Sequence, residues 1–104
     1  MKTRARKNGY SVNTANEYIN PNQAIHCLSV ELESQIKFKD GQPTGEIIAY
    51  KAWFSQKVLP PFTVKFESEV KLPSYMTLVQ FDNLQACEVG FNVYFKADDV
   101  TEVK

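Results

Sequence analysis

Hydrophobic and polar positions alternate with a period of two along much of the chain, beginning with residues 28–38. Leu28, Val30, Leu32, Ile36 and Phe38 interleave there with Ser29, Glu31, Glu33, Gln35 and Lys37. Successive side chains of a strand point to opposite faces, so the pattern predicts one long strand with a single wet face, bent or bulged near Ser34. The stretch Lys39-Asp40-Gly41-Gln42-Pro43-Thr44-Gly45 supplies two glycines and a proline, which predicts a hairpin loop. Residues 46–54 follow with the strand-favouring Ile47, Ile48, Tyr50, Trp53 and Phe54. One face of that strand carries Ile48, Tyr50, Ala52 and Phe54, and the other Ile47, Ala49, Lys51 and Trp53. Lys51 marks the second face as the outer one and leaves Trp53 at least partly exposed.

Pro60 and Pro61 separate this strand from residues 62–66, where Phe62, Val64 and Phe66 face inward and Thr63 and Lys65 outward. A fourth strand is expected over 77–81. A fifth, over 85–95, puts Cys87, Val89, Phe91, Val93 and Phe95 on one face and Glu88, Gly90, Asn92, Tyr94 and Lys96 on the other. Gly90 in its middle predicts a bulge or sharp bend. The terminal ADDVTEVK reads as a solvated acidic tail, or a last edge pair followed by one. Five strands and no helix longer than a turn or two predict an all-β fold. Closing a sheet disposes of its edges, so a small five-stranded OB-like barrel is the expected architecture, with an open β-sandwich as the alternative. No repeat at a fixed period is present, which excludes solenoids and propellers.

At 104 residues the chain makes one domain with a single modest core. Its 12 Lys+Arg balance 12 Asp+Glu, yet the charge is unevenly placed. Residues 1–16 hold Lys2, Arg4, Arg6 and Lys7 and no acid, so residues 17–104 carry the balancing −4. Residues 1–22, rich in Asn, Ser and Thr, read as a basic flexible arm ahead of a single barrel-like domain at 23–104. No apolar run reaches the roughly 18 residues of a membrane span, and no signal-type stretch follows the basic start. A cytoplasmic protein is expected.

Catalysis is disfavoured. Cys27 and Cys87 lie in apolar patterns and lack metal or redox spacing, so both are expected as buried free thiols. His26 neighbours Cys27, and neighbours on a strand diverge, so no Cys-His dyad forms from them. Asp98-Asp99 diverges in the same way, and no Gly-rich loop opens a helix. No catalytic residue, cofactor or metal is expected. A binding surface is easier to build. The outer faces carry Lys37, Lys51, Lys65 and Lys96 with Trp53 and Tyr94, the lysine-plus-aromatic mixture that holds single-stranded nucleic acid by phosphate attraction and base stacking. The arm residues Lys2, Arg4, Arg6 and Lys7 would add nonspecific affinity. In the competing reading, Trp53 and Tyr94 complete the core and the lysines only keep the edges soluble.

Three short motifs carry a resemblance: Asp40-Gly41 with Pro43-Thr44-Gly45-Glu46, then Pro60-Pro61-Phe62-Thr63-Val64, then Lys96-Ala97-Asp98-Asp99-Val100. Over residues 36–103 the chain resembles the small proteins encoded near the start of transfer modules in Gram-positive integrative and conjugative elements. These are auxiliaries to DNA processing that raise helicase processivity. The resemblance implies an accessory of mobile-element replication or conjugative transfer that engages single-stranded DNA, a helicase or a relaxase. Two other expectations stand beside it: a protein-interaction adaptor that touches no nucleic acid, and a minor phage or element structural subunit that assembles through strand edges; a homo-oligomer is also among the expected partners.

Overall fold

Alternating apolar residues make most of the chain into strands, and nonlocal pairing joins all of them into a single sheet. The computed structural model of the chain describes residues 9–103, so Lys2, Arg4, Arg6 and Lys7 lie outside the described residues. In chain order the elements are α1 Val12–Tyr18, β1 Ile25–Cys27, β2 Glu33–Lys39, β3 Gln42–Gln56, β4 Phe62–Phe66, β5 Leu78–Asp82, β6 Gln85–Val89, β7 Asn92–Lys96 and β8 Asp99–Glu102. The strands lie in the order β6-β7-β4-β3-β1-β5-β8, with β2 pairing β3 beside β1. Every pairing is antiparallel except β4 with β7.

The fold is mostly β, as expected, but it is neither a five-stranded OB barrel nor a sandwich of two sheets. It is one open mixed sheet of eight strands. The sheet is nonetheless tightly curled. Five strand spacings separate β7 from β8, about 24 Å if the sheet were flat. Only Ala97 and Asp98 connect these two strands, a reach of at most about 11 Å from Lys96 to Asp99. The connector is held at both sides of the gap, Ala97 N–H donating to Lys65 O at 3.0 Å and Asp98 N–H to Asp82 O at 2.9 Å. The core fills the curl. Phe54 of β3 meets Phe81 of β5 edge-on at 4.8 Å between ring centroids and Phe66 of β4 at 6.4 Å, while Phe62 and Phe95 stand 5.4 Å apart.

Three sequence expectations change. The run 28–38 is not one strand: β1 and β2 lie end to end along the same edge of β3, pairing Phe54–Gln56 and Gln42–Lys51, and residues 28–32 break away between them. There Leu28 N–H donates to Trp53 O, and Ser29 Oγ accepts from Trp53 N–H at 2.8 Å. The loop expected over 39–45 shrinks to Asp40-Gly41, whose φ values of 52° and 77° make the type I′ turn favoured by twisted hairpins. The run 85–95 is a hairpin, turning at Gly90-Phe91 with Gly90 at φ 60°. Its two-residue loop reverses the faces: Cys87 pairs with outward Tyr94, while Ala86 and Glu88 point inward with Phe95 and Val93.

The expected arm 1–22 is also corrected where it is described. Ser11 caps α1 by accepting from Thr14 N–H at 3.0 Å, and its backbone exchanges two hydrogen bonds with Ala86. Ala15 and Ile19 then enter the core, and Tyr18 Oη donates to the buried Glu88 carboxylate at 2.7 Å. Buried Gln56 secures the following connection: its Oε1 accepts from Asn20 N–H, and its Nε2 donates to Asn20 O and Gln23 O. The tail, finally, ends in a strand, β8, whose Val100 joins the core.

Candidate nucleic-acid interface

Clean alternation on β3, β4 and β7 points one set of side chains into the core and the next set outward. Phe54, Phe62, Val64, Phe66, Val93 and Phe95 turn in, so Lys51, Trp53, Thr63, Lys65, Tyr94 and Lys96 turn out. Register then decides which of these become neighbours. Lys51 is opposite Lys65, Lys65 is opposite Lys96, and the row is closed by Glu33 beyond Lys51 and Gln85 beyond Lys96. Three lysines therefore stand in one line across three adjacent strands. Side chains directly opposite one another lie roughly 5 Å apart at Cβ, and like charges so placed repel.

A second row runs beside the first, two residues along each strand. Trp53 is opposite Thr63, and the β4–β7 register carries Thr63 on to Tyr94, which is opposite Cys87. Trp53 is 41% exposed and Tyr94 49%, so neither is a core residue. The two rows are separated by roughly 7 Å of strand.

β2 completes the site. An open groove of about 500 Å³ runs over Lys51, Lys65 and Tyr94, with Ile36 and Phe38 of β2 on one wall and Tyr10 on another. Lys96 Nζ sits 4.5 Å from the centre of the Tyr10 ring, a cation–π contact that holds this lysine in the row. Burial, a hydrogen bond with the Cys87 side chain and the neighbouring Cys87 and Tyr94 push the Tyr10 hydroxyl up to about 12, so it stays protonated and can donate.

Of the residues expected from sequence, Lys51, Lys65, Lys96, Trp53 and Tyr94 share this face. Trp53 lies just outside the groove, over a dimple of about 140 Å³ lined also by Pro61 and Thr63. Lys37 does not join them: it is on the β2–β3 hairpin with Nζ 3.9 Å from Glu46. Tyr10, Ile36 and Phe38 were not anticipated as site residues. Tyr10 fell within the supposed arm, and Ile36 and Phe38 were assigned to the core face of a continuous strand. A larger depression of about 590 Å³ lies between residues 68–73 and β8, but Glu69, Asp98, Asp99 and Glu102 line it and would repel phosphate.

Cys27 is fully buried while His26 points to the other side of β1, and burial pushes the Cys27 thiol up. Among the described residues no three His, Cys, Asp or Glu side chains gather as metal ligands. No helix among them is long and apolar enough to cross a membrane. No family model, curated protein or solved structure matches the chain.

Proposed function

We propose that this chain is a non-catalytic module that binds single-stranded nucleic acid across the outer face of β3, β4 and β7. The lysine row carries the reading. Lys51, Lys65 and Lys96 are set side by side at a cost in mutual repulsion that a bound polyphosphate backbone would remove. The parallel row of Trp53 and Tyr94 offers two rings to bases, each stack worth about 1 to 3 kcal/mol. The lysines meet phosphates and the rings meet base faces, contacts that every base offers alike, so binding is weak and indifferent to sequence. Joined to the resemblance of residues 36–103, the reading is a cytoplasmic accessory of mobile-element DNA replication or conjugative transfer that holds a single strand beside a helicase or relaxase.

Titrating the intrinsic fluorescence of Trp53, the sole tryptophan, with a single-stranded oligonucleotide at low and moderate salt tests this reading. Quenching that weakens as salt rises is the expected result. Unchanged fluorescence at both salts, with no change in anisotropy of a labelled oligonucleotide, refutes it. A second reading, a protein adaptor, draws on the apolar surface of the β2–β3 hairpin, where Ile36, Phe38, Ile47 and Ile48 are all exposed. Capture of a helicase or relaxase by the protein without DNA, in the face of a negative titration, would establish that one instead.

A further inference from the structure

The β2–β3 hairpin is built unlike the rest of the molecule. All seven residues of β2 are exposed, and among the described residues β2 pairs with no strand but β3. β4 pairs β3 only from Tyr50 to Phe54, so the part of β3 before Tyr50 has no strand on its far side either. The hairpin thus leaves the sheet as a two-stranded ribbon, a structure marginal in water by itself. It still presents apolar side chains, with Phe38 65% exposed. β2 is also the more regular member of the ribbon. The register shifts skip Ile48 and residues 44–46 of β3 but only Lys37 of β2, whose carbonyl accepts from Thr44 Oγ1 at 2.8 Å. An open edge of seven residues is a template for another strand.

We propose that the strand taken by this edge is β2 of a second copy of the chain, antiparallel and related by a twofold axis through Ile36. The sequence of β2 is complementary to itself in that arrangement. Centring on Ile36 pairs all seven residues of Glu33–Lys39. Glu33 then faces Lys39 of the other copy at both ends, Ser34 faces Phe38, Gln35 faces Lys37, and Ile36 faces its own counterpart. No like charges are opposed, and the two Glu–Lys pairs are generated by one pair of residues because the contact is isologous. The product is a continuous four-stranded ribbon in which each copy supplies the edge the other lacks. This inference rests on the edge of β2 and is independent of the nucleic-acid reading.

Sedimentation equilibrium of the full chain over a wide concentration range provides the test. The expected result is a reversible monomer–dimer equilibrium. Lys39→Glu puts two carboxylates opposite Glu33, once at each end, and weakens dimerisation roughly tenfold. Glu33→Lys weakens it similarly, and the double variant Glu33→Lys/Lys39→Glu restores it. Circular dichroism of each variant verifies the fold. A second measurement fixes the register: Ile36→Cys places two thiols across the axis at the roughly 4.5 to 5.5 Å Cα separation of opposed antiparallel residues, within disulfide range. Mild oxidation links that variant into a covalent dimer, whereas Cys at the more exposed Val58 stays unlinked; the native Cys27 and Cys87 are buried. A protein monomeric at every concentration overturns the proposal. So does dimerisation that ignores both single reversals, that is rescued by pairing Glu33→Lys with Lys37→Glu instead, or that links Val58→Cys as fast as Ile36→Cys.

Discussion

Lys65 is the middle member of the lysine row, between Lys51 and Lys96, and its replacement by Ala has two calculable consequences. The first concerns binding. Each phosphate neutralised on a single strand contributes about 0.7 to the slope of log affinity against log salt. Three lysines give a slope of about −2.1, an affinity loss near 18-fold between about 50 and about 200 mM salt. Lys65→Ala lowers the slope to about −1.4 and the loss to about 7-fold. The difference between the two proteins does not depend on what residues 1–8 contribute, because both contain them. The second consequence concerns the free protein. Lys65 has a like charge on each side, so its removal relieves two repulsive pairs of about 0.2 to 1 kcal/mol each, and thermal stability at low salt holds or rises. Anisotropy of a labelled oligonucleotide at several salts and a melting curve measure both effects. Lys71→Ala, beside the acidic depression, is the control and leaves the slope unchanged. An unchanged slope in Lys65→Ala, or an equal fall in Lys71→Ala, refutes the assignment of phosphate contacts to this row.

Trp53→Ala removes one stacking surface and weakens oligonucleotide binding about 5- to 150-fold while the far-ultraviolet circular dichroism stays native; loss of the fold would show that the ring is core. Phe54→Ala, by contrast, excavates the centre of the aromatic cluster and costs about 3 to 5 kcal/mol, much of the stability of a small domain, which urea denaturation will register as a large fall in midpoint. Alkali should destabilise the protein. Burial raises Cys27 above its ordinary 9.0 and Tyr10 from 10.0 to about 12, so the unfolded chain releases these protons first. Their contribution is fully present below pH about 9 and is lost as pH climbs toward 12, so the urea midpoint falls over that interval; a midpoint that rises there would contradict the burial of these groups.

Much of this face was legible because parity along a strand is a local property. Lys51 and Trp53, Thr63 and Lys65, and Tyr94 and Lys96 were each placed outward by alternation alone, and outward they are. Alternation is blind to a two-residue turn, however. Across Gly90-Phe91 the apolar positions keep their odd numbers while the faces exchange, so Cys87 and Val89 were assigned to the wrong side. The five-strand count falls three short because the 85–95 hairpin passed for one strand, β1 lies ahead of the run read as the first strand, and β8 was read as tail. α1 was hidden for a different reason. Val12-Asn13-Thr14-Ala15-Asn16 has weak helix propensity, and the helix depends on the Ser11 cap and on burying Ala15 and Ile19 against the sheet. The lysine row lay beyond local reading altogether, because it needs β7 to pair parallel to β4, and that follows from the packing of the whole sheet.

The groove and the pairing edge both use β2 without competing for it. A strand presents its side chains above and below the sheet and its backbone groups in the plane, so face and edge are perpendicular. Ile36 and Phe38 line the groove through a face of β2, whereas the second copy would take the backbone of the same strand. Pairing across the edge would therefore set two grooves side by side along one ribbon. A single strand long enough to reach both would bind the dimer more tightly than the monomer, and linkage requires it to promote dimerisation by the same factor. A short oligonucleotide confined to one groove has no such effect. Sedimentation of the parent protein with long and short strands separates the cases: dimerisation strengthened by the long strand alone joins the two proposals in one assembly, while indifference to length leaves each groove acting by itself.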